Sequence, residues 1–423
     1  MRADKGRAMF SAAMSAMYRS EVPQYGALLD LVRDINRDVL RRHEADAYAL
    51  DTAVERERLD QERHGAIRLG TAAELRLMRR LFAVLGMVPV GYYDLSVAGV
   101  PVHSTAFRAT DPGSLRRSPF RLFTSLLRLD LIADRDLRET ATGLLNQRRI
   151  VTPEALALIE RFETDGVLDD ARTEAFVAAA LDSFRWHAEA TVDRATYQAL
   201  RAAHPLVADI VCFKGPHINH LTPRVLDIDA AQAAMAQRGL APKAVIEGPP
   251  ARACAILLRQ TSFKALSEPV RFGDVEGRHV ARFGEIEQRG VALTPAGRAC
   301  YDALLAQADP NAFAAFPDDH EVLRQERLAY YRYSAMADVP LGAQSLEEAI
   351  VAGSVRAEPI LYEDFLPVSA AGIFRSNLAD AQSALPAPSS RQADFEDALG
   401  CAVLDPFALY AAQSDASAAS IAL

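Results

Sequence analysis

Apolar positions recur at helical spacing through YGALLDLVRDINRDVL, so residues 5–47 are expected to be helical. The charged stretch AVERERLDQER follows, and then the texture changes. HGAIRLG reads as a short strand. TAAELRLMRRLFAVLG reads as a helix, with Thr71 as N-cap, Glu74 as its capping-box partner and Gly86 as the stop. Three strand-like runs, PVGYYDLSV, VPVHSTAFRA and FRLFTSLLRLDLI, complete the order β-α-β-β-β. Residues 135–205 interrupt it with LRETATGLLNQRRI, TPEALALIERFET, ARTEAFVAAALDSFRWHAEA and DRATYQALRAAH, all of helical period. HINHLTPRV then reopens the strand pattern. DIDAAQAAMAQRG is a helix capped by Asp227 or Asp229 and stopped by Gly239. PKAVIEGPP, CAILLRQTSFKAL and HVARFGEIEQRG repeat the strand triplet.

The pattern therefore predicts an α+β chain in which one β-α-β-β-β order occurs twice, a repeat of architecture rather than of residues. The expected divisions are an N-terminal helical segment (1–60), a first module (61–134), a helical insertion (135–205), a second module (206–292), a helical region with a loop (293–378), and a linker and tail (379–423). Helices are expected near 295–308 and 317–337. FEDALGCAVLDPFALYAAQ is expected to pack back as a helix, with the last ten residues frayed.

Composition narrows the function. The chain has 423 residues, 50% hydrophobic, with a formal net charge of −9, which argues against a nucleic-acid surface. Cys212, Cys254, Cys300 and Cys401 form no CxxC and read as reduced cysteines of a cytoplasmic protein. No run reaches the length of a membrane span. Arg2, Lys5 and Arg7 precede AMFSAAMSAM, which is too short and too serine-rich for a leader peptide and reads as an amphipathic helix.

GPHINHLTPR holds two histidines three positions apart. In a strand, His217 and His220 point to opposite faces, so at most one lines an enclosed site. A local echo distinguishes His220: His64 is followed four residues later by Arg68, and His220 four residues later by Arg224, each in the first strand of its module. In FGEIEQRG, Glu285 and Glu287 share a strand face, a pattern more often solvated than functional. Two histidines and one carboxylate nevertheless make the facial triad of non-haem Fe(II) oxygenases, which leaves positions open for a chelating substrate and O2. Gln260, Ser262 and Lys264 alternate onto one face and could line such a pocket. Arg68 could instead pair with Glu62, and Arg224 and Arg289 with Asp227 and Glu287.

LDQERHGAIR, VGYYDLS, GVPVHSTAFR, FTSLLRL, FKGPHINHLTPR, LDID, EGPP, LLRQTSFKAL, RFGEIEQRG and DFLPVSAAGIF together resemble the 2-oxoadipate dioxygenase/decarboxylase family, also called hydroxyglutarate synthase, from about residue 9 to 378. This family is similar in core to the vicinal-oxygen-chelate fold and to hydroxymandelate synthase. The resemblance implies two modules forming a vicinal-oxygen-chelate-like curved sheet around a metal site. It implies Fe(II) on His64, His220 and Glu285, and substrate contacts from Arg68, Val368 and Ser369. His217 then faces away as a structural donor. The implied reaction takes 2-oxoadipate and O2 to D-2-hydroxyglutarate and CO2 in lysine breakdown, with a small 2-oxo diacid and O2 as partners and neither nucleic acid nor membrane. The alternatives are another vicinal-oxygen-chelate metalloenzyme, such as an isomerase or extradiol dioxygenase on Zn, Ni or Mn, and a non-catalytic small-molecule binding protein.

Overall fold

A computed structural model describes residues 2–42, 52–307, 309, 311–336, 345–366 and 391–421. Three helices open the chain: α1 (Arg2–Glu21), α2 (Pro23–Arg42) and α3 (Thr52–Gln61). Pro23 separates the first two, as expected of a residue that is tolerated only in the first turn of a helix. The first module follows as β1 (Arg63–Leu69), α4 (Ala72–Val84), β2 (Val88–Asp94), β3 (Val102–Arg108), a short α5 (Pro112–Arg117) and β4 (Phe120–Leu127). Thr71 caps α4 by accepting the Glu74 amide at 3.2 Å. The Glu74 carboxylate does not close the expected box. It accepts from the Gly70 amide and from Arg148 instead, both at 2.7 Å.

Five helices come next: α6 (Arg135–Gln147), α7 (Pro153–Asp165), α8 (Asp170–Leu181), α9 (Arg194–Ala203) and α10 (Pro205–Val211). The expected long helix over ARTEAFVAAALDSFRWHAEA stops at Leu181, and α10 is an element that the periodicity did not predict. The second module runs β5 (His220–Pro223), α11 (Ile228–Met235), β6 (Leu258–Ser262), β7 (Ser267–Phe272), β8 (Val275–Val280) and β9 (Glu285–Arg289).

The strands explain the architecture. The main sheet has the order β2-β3-β4-β1-β5. β1 pairs parallel with β4 and antiparallel with β5, which joins the modules, so that Ala66 lies opposite His220 and His64 opposite Thr222. Beyond β5, a parallel bridge between Arg224 and Glu287 leads to β9, which pairs antiparallel with β6. The series β5-β9-β6 thus repeats β1-β4-β3. Two departures mark the second module. PKAVIEGPP forms no continuous strand: Glu247 bridges to Gln260 of β6 and Pro242 to Phe263 just beyond it. HVARFGEIEQRG is not one strand: it breaks after Val280, because β7 and β8 form a separate hairpin inserted between β6 and β9. At Gly290 a Cβ would lie 2.1 Å from the Ala255 backbone, so two chain segments cross there at a distance only glycine allows.

The C-terminal region holds α12 (Pro295–Leu305), α13 (His320–Gln325), β10 (Tyr331–Ala335), α14 (Leu346–Val351), β11 (Val355–Pro359), α15 (Gln392–Leu399) and α16 (Pro406–Ala419). The helix expected over 317–337 is therefore a short helix followed by a strand paired with β11. The tail expected to fray is helical to Ala419.

Alternation sets the two faces of β1. Ile67 and Leu69 enter one apolar core together with α1, α2, α4 and α11. His64, Ala66 and Arg68 point to the opposite face, which Arg121, Phe123 and Ser125 of β4 share. No described helix is long and apolar enough to cross a membrane.

Candidate metal centre and its arginine

His64, His220 and Glu285 come together on the inner face, one from each of β1, β5 and β9, all buried, with donor atoms within 4.8 Å of one another. His64 Nε2 lies 3.1 Å from Glu285 Oε1, and His220 Nε2 lies 4.0 Å from Glu285 Oε2. The imidazole rings stand at 88° with centroids 5.4 Å apart. Gln260 donates to Glu285 Oε1 at 2.6 Å and the Thr222 hydroxyl at 3.3 Å. Glu285 Oε2 is buried and has no hydrogen-bond partner among the described residues. A buried carboxylate oxygen left unbonded 4.0 Å from an imidazole nitrogen is a costly arrangement by itself and fits a divalent cation.

Electrostatics at His220 agree with that chemistry, whereas at His64 burial favours the neutral ring but Glu287 and Glu285 outweigh it and raise the imidazolium above its usual value. Burial pushes the His220 imidazolium down to about 4, so its ring is neutral and its lone pair available near neutral pH, as a metal ligand requires. Burial opposes ionisation of Glu285, but His220 and His64 outweigh it and hold the carboxyl below its usual range. Phe365 packs edge-on against His64 at 5.0 Å and Phe283 against His220 at 4.8 Å, which limits water around the cluster.

Arg68 leaves β1 on the same face as His64. Its partner is not Glu62 but Asp209 of α10, to which it forms a buried ion pair. Asp209 also meets His279 Nε2 at 2.9 Å and His217 Nε2 at 3.3 Å. His217 lies in the loop before β5, so the distinction from His220 is one of loop against strand, not of two faces of one strand. Glu62 is gripped by Arg58 at 3.0 Å, Arg121 at 2.7 Å and Arg224 at 3.2 Å. Arg289 does pair with Glu287, at 2.7 Å, whereas Asp227 caps α11 through the Ala230 amide. Gln260 and Ser262 are buried on the inner face, but β6 ends at Ser262 and Lys264 is exposed. Val368 and Ser369 lie outside the described residues.

Two functional candidates escaped sequence reasoning. Asp209 sits in a helix that was not expected. Glu287 was read only as the neighbour of Glu285 on one strand face and a partner for Arg289, with no part in the site, yet it is fully buried beside His64.

Two mixed α/β modules joined edge to edge through β1 and β5, with a buried two-histidine, one-carboxylate cluster on the inner face, define an α+β protein built around a candidate metal centre. The chain belongs to the 2-oxoadipate dioxygenase/decarboxylase family, whose profile matches residues 10–377. It is 56% identical over 438 residues to the 2-oxoadipate dioxygenase/decarboxylase of Pseudomonas putida, covering 96% of this chain and 94% of that protein. It is 54% identical over 428 residues to the protein of the same name from Escherichia coli, covering 96% of each. The crystal structure of the Pseudomonas putida hydroxyglutarate synthase in complex with 2-oxoadipate superposes with a TM-score of 0.90 at 54% identity, covering 99% of this chain and 98% of that one.

Proposed function

We propose that this chain is an Fe(II)-dependent dioxygenase/decarboxylase that converts 2-oxoadipate and O2 to D-2-hydroxyglutarate and CO2, a step of lysine breakdown in the cytoplasm. The observation that carries the reading is the convergence of His64, His220 and Glu285 on the inner face of a chain 54% identical to a synthase crystallised with 2-oxoadipate.

His64, His220 and Glu285 would hold the iron. When bound there, Fe(II) supplies Lewis acidity toward the 2-oxo acid and a one-electron route to O2. Gln260 and Thr222 orient Glu285 through the hydrogen bonds given above. Phe365 and Phe283 keep the surroundings apolar, which strengthens the charge interactions inside. Arg68 takes the distal carboxylate of the substrate, a contact for which the guanidinium fork is suited and an ammonium is not. Asp209 and its two histidines set the direction of that fork. Val368 and Ser369 are proposed contacts at the same end of the substrate.

The test is anaerobic reconstitution with Fe(II), then addition of 2-oxoadipate and ¹⁸O2. The expected products are CO2 and 2-hydroxyglutarate carrying one labelled atom in the new carboxylate and one in the hydroxyl. His64→Ala, His220→Ala and Glu285→Ala are expected to abolish turnover in folded protein. A hydroxyl oxygen derived wholly from water, with exchange excluded, or full activity with Zn(II) and no O2 uptake, would overturn the reading.

A further inference from the structure

Beside the cluster lies a carboxylate to which the proposed reaction gives no role. Glu287 leaves β9 on the same face as Glu285, and its Oε2 lies 2.9 Å from His64 Nδ1. That is a hydrogen-bond distance, although the N–H is not aligned with it. Catalytic hydrogen bonds are often loose in this way without ligands and tighten in the loaded site. Arg289 grips the same carboxylate at two points, from Nε at 2.9 Å and from Nη2 at 2.7 Å. Arg289 Nη1 also donates to the carbonyls of Tyr362 and Asp364, each at 2.9 Å. Its guanidinium lies 5.3 Å over the ring of Phe365, the residue packed on His64.

An imidazole presents one nitrogen to a metal only when the other carries the proton, and the partner of that other nitrogen decides which is which. A fixed anion at Nδ1 keeps the proton there and leaves the Nε2 lone pair on the side of Glu285 and His220. Arg289 gives that anion its fixed position. We propose that Glu287 is a positioning residue for the reaction. Through His64 Nδ1 it holds the tautomer and orientation that turn Nε2 to the metal, and Arg289 fastens this carboxylate to the Tyr362–Phe365 segment. The inference rests on His64 being a metal ligand, as proposed above.

Cobalt(II) is the probe, because its visible absorption reports coordination without turnover. Parent protein and His64→Ala are titrated first. If His64→Ala binds cobalt like the parent, the ligand assignment itself fails. With that established, Glu287→Gln is expected to weaken cobalt binding by about 10–100-fold. Glu363→Gln removes a partner of Arg58 and Arg121 from the same buried charges without touching His64, and is expected to stay near the parent. Equal affinities in Glu287→Gln and parent, or equal losses in both variants, overturn the proposal. Should Glu287→Gln not fold, Glu287→Gln/Arg289→Met removes the pair together, and the same loss of affinity is expected. A measurement on the unmutated chain stands beside these. In ¹⁵N-histidine-labelled protein loaded with Zn(II), His64 Nδ1 is expected to carry the proton, and an unprotonated Nδ1 overturns the proposal.

Discussion

Replacing Arg68 by alanine is predicted to lower kcat/KM for 2-oxoadipate by roughly tenfold or more, the loss of a charge-assisted contact of about 1.5–3 kcal/mol. The same change is predicted to alter little for 2-oxohexanoate, whose tail is uncharged. The ratio of the two kcat/KM values is the measurement, and an unchanged ratio with metal content intact would leave Arg68 a purely structural partner of Asp209. His217→Ala is predicted to retain the metal, because its ring serves Asp209 and not the cluster; metal analysis of the purified variant checks this. At this scale much was legible. His64 and His220 were marked by their equal places in two modules, and Glu285 by the family's strand. Glu287 was not legible, because its burial depends on Arg289 and Arg121, and Arg121 lies on a distant strand. Arg68 was marked as a substrate contact by the family resemblance, with Glu62 as the alternative partner; the ion pair it makes is with Asp209, which reaches it only through the unexpected α10.

Local signals carried some elements and failed in others for identifiable reasons. The β-α-β-β-β order of the first module follows from caps and alternation that neighbouring residues supply. LAYYRY was read as helix, although its aromatic run favours a strand, because its pairing partner β11 lies well beyond any local window. Arg327, at φ 55°, ends the short helix before it. The final helix was expected to give way to a frayed tail over the last ten residues. Instead Asp405 caps it, and Ser417 accepts the Tyr333 amide at 3.0 Å while Ser414 donates to the Tyr331 carbonyl at 2.8 Å, binding it to β10. The start of α4 separates a cap from a buried pair. Thr71→Ala is predicted to cost about 1 kcal/mol, the value of one N-cap. Glu74→Ala is predicted to cost about 3 kcal/mol, because it leaves the buried Arg148 charge without its carboxylate, with only the carbonyls of Ile210 and Phe213 to accept from it. Urea midpoints of the metal-free variants give both numbers, and equal losses would mean that the Arg148 contact contributes nothing.

Over the whole molecule, acid sensitivity follows from histidines outside the cluster. Burial pushes His103 and His204 down to about 4 in the fold, against about 6.5 in an unfolded chain. Between those values the unfolded chain binds more protons, so stability is fully present above about pH 6.5 and is lost as pH falls toward 4. The metal-free protein is therefore predicted to lose up to about 3 kcal/mol per histidine over that range. His103→Gln and His204→Asn should each flatten the dependence of the urea midpoint on pH, and an unchanged slope would contradict this. The N-terminal helices, expected as a separate segment, brace the second module. The Tyr18 hydroxyl meets the carbonyls of Asn219 and Phe283 at 3.1 and 2.7 Å, and Asn36 joins the Arg224 carbonyl to the Leu226 amide. The antiparallel pairing of β1 with β5 has a further consequence, in the order of synthesis. When the first module leaves the ribosome, β1 is its edge strand, with unpaired backbone groups beside His64. The strand that covers that edge emerges only after the intervening helices, a delay on the order of ten seconds at ordinary elongation rates. During that interval the nascent chain exposes His64, one of the three residues of the cluster, on an open sheet edge, the kind of surface that recruits other strands and calls for a chaperone.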